Sequence, residues 1–217
     1  MVRNPLTPLV LATILIASSS THAAQYGGIE FPGGAASFAD SVISYTPSFG
    51  NGNVPTDPNY TNPAVATGAP DYTGGIGSVS LGAGGQLVLQ FTDNFLTGSD
   101  STDEDLHIFE IGPDVEDTDV DISKDGTEWF SVGKVFGSTD SIDIDFYGFT
   151  SADLFSFVRL TDVKTEGATS GSTVGADIDA VGAITTIPRD SVPDAGSSML
   201  MVTLSLLGIA ALRRKVT

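Results

Sequence analysis

The sequence predicts an all-β protein, a jelly-roll or β-sandwich, and two observations carry that prediction. Glycine and proline punctuate the chain, 25 and 11 of them among 217 residues, and the segments between them alternate apolar and polar residues with period two, as half-buried strands do. No comparable helical stripe runs through 25–190. Eight or nine short strands with turn signals between them suit two packed antiparallel sheets.

In chain order, the clearest strands are 86–91 (QLVLQF), 106–111 (LHIFEI), 141–146 (SIDIDF) and 154–163. In 141–146, Ile142, Ile144 and Phe146 fall on one face and Asp143 and Asp145 on the other, so the first set can be buried with the carboxylates in water. Asp125-Gly126 lies between two alternating runs and predicts a hairpin with Val120 and Ile122 facing inward. The last strand candidate is 175–184, where Ile178 alternates with Asp177 and Asp179. His107, between Leu106 and Ile108, reads as an outward strand position. The stretch 46–77 is dominated by Pro, Gly, Asn and Thr and predicts a long, partly ordered surface loop. Its Tyr60 and Tyr72 either form a ligand-binding lip that stacks on sugar rings or pack down onto the body.

All 27 acidic residues lie between Glu30 and Asp194, where only Lys124, Lys134, Arg159, Lys164 and Arg189 oppose them. Such a field repels nucleic acid and anionic lipid, and it suits hard, oxygen-loving cations or simple solubility. The absence of cysteine excludes disulfides, thiol catalysis and thiolate metal sites. With only two histidines in the chain, His22 and His107, metal sites built from several imidazoles are excluded from the domain.

Both ends read as address segments, leaving one domain over 25–190. At the N-terminus, Arg3, an apolar stretch 9–17 and small residues near 21–24 read as a signal peptide over 1–24. At the other end, 199–212 is an apolar run of 14 residues, or ~21 Å as a helix against a hydrocarbon core of ~30 Å. Arg213, Arg214 and Lys215 follow it and would stay cytoplasmic, which holds the preceding chain outside. A simple tail anchor or a buried core helix is one reading of this segment and a sorting signal is the other.

Candidate chemistry is sparse. Asp117, Asp119, Asp121, Ser123, Asp125 and Glu128 have the oxygen spacing of a calcium-binding helix–loop–helix, but Ile122 stands where that loop needs glycine. The hairpin is the better reading. Asp177 and Asp179, about 6–7 Å apart along a strand, either face solvent or share a cation. The acidic turn 100–105 would add oxygens if the fold brought it near. No phosphate-cradling loop with a lysine, nucleophile elbow or histidine pair is present, and nothing singles out a carboxylate pair for glycoside hydrolysis. The expectation is a protein without catalytic residues.

Val192-Pro193-Asp194-Ala195-Gly196, followed by the apolar run and the basic end, resembles the VPDSG variant of PEP-CTERM sorting signals, with Ala195 in place of the usual serine. That resemblance, confined to 191–217, implies processing by an exosortase-type enzyme, with 199–212 in the membrane at least transiently. Segments across 38–184, among them Leu106-His-Ile-Phe-Glu110, Val120 to Trp129 and Gly175 to Ile184, resemble galactose-binding-like, discoidin-type domains of bacterial cell-surface proteins. The resemblance implies a carbohydrate- or surface-binding module with structural calcium near its terminal strands, at Asp40, Asp177 and Asp179. The resulting expectation is an exported surface or matrix protein that binds envelope or extracellular polysaccharide. Its alternative is a calcium-stabilised envelope protein that assembles with its own copies.

Overall fold

The computed structural model describes residues 22–112, 116–137 and 139–191. Two antiparallel sheets form its body. The larger runs in the order β3 (Ser41–Thr46), β5 (Gln86–Gln90), β11 (Phe157–Asp162), β8 (Asp117–Ser123) and β9 (Phe130–Phe136). The smaller runs β10 (Asp140–Ile142), β7 (Leu106–Glu110), β12 (Asp177–Ala183) and β4 (Val79–Ser80). Two short ribbons flank them, β1 (Ala24–Tyr26) with β2 (Ile29–Phe31) and β6 (Asn94–Leu96) with β13 (Thr186–Pro188).

Period-two alternation accounts for the core. Leu87 and Leu89, Val120 and Ile122, and Val158 and Leu160 from the larger sheet join Leu106, Ile108, Ile178 and Val181 from the smaller in a single buried cluster. Burying each such side chain contributes about 1.5–3 kcal/mol, which makes this inter-sheet layer the main support of the sandwich. The predicted hairpin is present, with Ile122 paired to Phe130. Asp125 Oδ1 accepts hydrogen bonds from the Thr127 and Glu128 N–H groups at 2.8 and 3.0 Å, and Gly126 takes a φ of 77° that few other residues adopt.

Three expectations are corrected. His107 does not face solvent: it is 3% exposed, because the β1–β2 ribbon and the turn after it fold over the outer face of the smaller sheet. Phe31 and Phe38 cap Phe109 and Ala180 there, with ring centroids 4.7 Å apart, and β7 is buried on both faces. The strand expected over 141–146 stops at Ile142. A 3₁₀ turn at Asp145–Tyr147 replaces its end, and Phe146 is 81% exposed rather than inward. The cause is long-range, since Asp105 Oδ2 accepts the Ile144 N–H at 3.0 Å and draws the chain out of the ladder. Finally, the loop 46–77 is built and packed down. It holds 3₁₀ turns at Pro58–Tyr60 and Pro63–Ala66, opened by the side chains of Asp57 and Asn62, and buries Ala66 completely.

Candidate functional site

The packed loop and the start of β12 form one face. Tyr60 and Tyr72 are both half-buried, and the Tyr60 hydroxyl donates to the Gly75 carbonyl at 3.0 Å. Burial raises the Tyr60 pKa, and the neighbouring Tyr72 and Asp177 add to the rise. Beside the tyrosines lies a cleft of about 450 Å³ whose lining includes Asn62, Val65, Thr67, Asp71, Thr73 and Ile76. It combines apolar side chains, with Ile76 66% exposed, and a rim of hydroxyl, amide and carboxylate groups. That mixture offers a ligand both apolar contact and hydrogen-bonding groups.

Asp177 and Asp179 belong to the same face, but the even alternation expected around Ile178 is broken. The register between β12 and β7 shifts between Ile178 and Ala180, so Asp179 is the extra residue of a bulge. Its Oδ1 accepts the Asp71 N–H at 3.1 Å. Burial raises its pKa, while hydrogen bonds from the backbone of Asp71 and Tyr72 oppose the rise. Asp179 therefore anchors the end of the loop that carries Tyr72. Asp177 accepts a hydrogen bond from the Ser80 hydroxyl. Burial pushes its carboxyl up to about 6, with Ser80 pulling the other way and Glu116 adding to the rise. Tyr45, whose hydroxyl donates to the Ser80 carbonyl at 2.6 Å, is pushed up to about 12 by burial and by Asp177.

Asp40 sits apart from these two. Its Oδ2 accepts the Thr92 N–H at 2.7 Å and the Thr92 hydroxyl at 2.9 Å. It also lies beside Asp93, whose pKa is raised by burial first and by Asp40 second. Asp40, Asp177 and Asp179 thus do not share one point. Among the described residues, the one group of three acids with converging oxygens is Asp105, Asp143 and Asp145. The sequence places two of these three on an expected solvent face, and only the turn at 143–147 brings them to Asp105.

Two further acids of the hairpin are held in ion pairs. Asp121 pairs with Arg159 at 2.9 Å, Asp117 with Lys134 at 3.1 Å, and Asp119 is exposed. His107 lies against the Ser141 hydroxyl through Nδ1, and burial pushes its imidazole down to about 4, which leaves it neutral near pH 7.

The sorting motif Val192, Pro193, Asp194, Ala195 and Gly196, the apolar run 199–212 and the segment 1–21 lie outside the described residues. No helix among the described residues is long and apolar enough to cross a membrane. A family model described as the VPDSG-CTERM motif matches residues 191–216. No curated protein matches the chain. The tail carries a PEP-CTERM-type sorting signal, which supports an exported, surface-associated protein handled by an exosortase-type enzyme.

Proposed function

We propose that the protein is a non-catalytic component of the cell surface or extracellular matrix whose β-sandwich binds envelope polysaccharide at the Tyr60–Tyr72 face. The carrying observation is that the packed loop holds two half-buried tyrosines near Asp177, next to a cleft that mixes apolar and polar side chains and is lined by Asp71 and Thr73 on either side of Tyr72 in sequence. The resemblance of 38–184 to galactose-binding-like domains supports the same reading. Asp177 and Asp179 are the acids proposed to hold structural calcium on this face. The strong negative charge of the domain disfavours anionic glycans, so neutral or amino sugars are the expected ligands. The signal peptide over 1–24 is part of the proposal, because the sandwich must be exported to meet such ligands.

A glycan array probed with the purified protein, in calcium and in chelator, tests this function. Tyr60→Ala or Tyr72→Ala should reduce the glycan signal by about tenfold, equivalent to ~1.4 kcal/mol, while leaving cooperative unfolding in place. Undiminished binding by both variants would remove the tyrosine face from the account.

A second reading is calcium-dependent self-assembly. It is favoured by the two edge strands of the larger sheet, β3 and β9, which carry Ile43 at 51% and Phe136 at 66% exposure. Unpaired edges with apolar side chains are templates for association. No glycan binding together with calcium-dependent oligomers in sedimentation would select it over polysaccharide binding.

A further inference from the structure

We infer that Asp105, Asp143 and Asp145 form a site for a hard divalent cation, calcium, at the end of the smaller sheet. One ligand oxygen from each carboxylate lies within 4.8 Å of the others. Calcium–oxygen distances of about 2.3–2.6 Å allow two ligands of one ion to stand as far as ~5 Å apart, so the spacing suits a shared ion. The acids come from two segments far apart in sequence, the residue preceding β7 and the turn following β10.

A second observation points to a ligand. Asp105 is 0% exposed, and its Oδ1 is buried without a hydrogen bond of good geometry, the Thr185 side chain and the Asp145 carboxyl being the groups beside the carboxylate. A carboxylate oxygen removed from water and left unpaired is costly, and a cation is its natural complement. Among the described residues, the ion pairs run from Lys124 to Asp153, from Lys134 to Asp117 and Glu166, and from Arg159 to Asp121, and none reaches this group.

Backbone donors hold the three acids in place. Asp105 Oδ2 accepts the Ile144 N–H at 3.0 Å, and Asp143 Oδ1 accepts the Phe146 N–H at 3.2 Å. Asp145 accepts the Ser99 N–H at 2.8 Å and the Asp100 N–H at 3.1 Å. These bonds preset the oxygens and leave lone pairs available. Burial raises Asp105 to about 6, hydrogen bonds from the Thr185 side chain and the Ile144 N–H oppose the rise, and Asp145 adds to it; burial, then Asp143 and Asp140, raise Glu104, so a fourth acid stands nearby. An all-oxygen donor set selects hard ions over zinc or copper, and carboxylates held from several directions suit the tolerant shell of calcium better than the strict octahedron of magnesium. The bound ion would tie the 99–105 turn to the 143–147 turn, and with it the position of the exposed Phe146.

This site is independent of the calcium proposed at Asp177 and Asp179, and one experiment separates them. The full chain, purified in detergent and stripped with chelator, is titrated with calcium chloride by calorimetry and melted with and without calcium. Asp143→Asn is the main variant, since Asp143 is only half-buried and Asp105→Asn could disturb folding through Ile144. The expected results are saturable calcium binding and a higher melting temperature in calcium. Affinity should fall on the order of tenfold or more in Asp143→Asn, as expected when one charged ligand is lost. In chelator that variant should melt at or above the wild-type temperature, because one repelling charge is gone, which a merely structural Asp143 would not produce. Asp177→Asn should leave this binding event intact. Absence of calcium binding at millimolar concentration, or wild-type affinity in Asp143→Asn, overturns the inference. Loss of all calcium binding in Asp177→Asn alone overturns it in favour of the other face.

Discussion

Asp125 shows how a single side chain can be read correctly from its neighbours. Its turn is local: an acid followed by glycine between two alternating runs, with the carboxylate accepting from the next N–H groups. Those bonds, from Glu128 and Thr127, hold its carboxyl well below the ordinary value of 3.8, at about 2. A depressed carboxylate stabilises the fold above its unfolded pKa, and that contribution is lost as pH falls through the folded value. Urea unfolding of wild type and Asp125→Asn should therefore show wild type the more stable at pH 5, with the difference closing between about pH 4 and 2. A constant difference across that range would mean that Asp125 acts through something other than its charge. Asp143, Asp145 and His107 escape the same local logic. Asp105 redirects the first two through Ile144, 39 positions away, and the folding-over of Phe31 and Phe38 buries the third. Period two assigns alternate faces, but not what covers them.

At the scale of elements, β12 carries the most information that the pattern of residues conceals. Its bulge at Asp179 turns Ala180 to the outer aromatic cluster while Ile178 and Val181 remain in the inter-sheet core. Nothing in Gly-Ala-Asp-Ile-Asp-Ala-Val-Gly announces the extra residue, because a bulge answers to the partner strand as much as to its own side chains. Gly182 has a clearer reason. A Cβ there would stand 2.5 Å from Phe31 Cε1 and 2.8 Å from Phe38 Cε1, so the aromatic cap closes only over a bare backbone. Gly182→Val should destabilise the protein by about 1–3 kcal/mol, the usual cost of overpacking, measurable as a lower urea midpoint with the slope unchanged. Stability equal to wild type would mean that the cap is loosely held. The hairpin of β8 and β9 and the strands β5 and β11 were legible in advance, since their apolar residues recur with period two between marked turns, whereas β3, whose pairing with β5 shifts register between Val42 and Ser44, was not. The loop 46–77 was legible in its composition but not in its packing, which depends on Asp179 reaching Asp71 across 108 positions.

At the scale of the whole molecule, the chain divides into chemical regimes: every acid lies between Glu30 and Asp194, and the last three cations lie beyond the apolar run. That division, with the match to the VPDSG-CTERM motif over 191–216, makes delivery to the surface the central claim. The folded part ends close to the tail, because Arg189 donates to the Phe91 carbonyl at 2.6 Å and to the Ser156 hydroxyl at 2.8 Å and lies 3.9 Å above the Phe95 ring. The sandwich thus reaches almost to Val192, where the motif begins. Intact mass of the mature protein recovered from its native cell surface tests the claim most directly. The mature chain should begin at Ala24 or Gln25 and lack 199–217. A mass that retains 199–217 would contradict the claim and make the tail a permanent anchor.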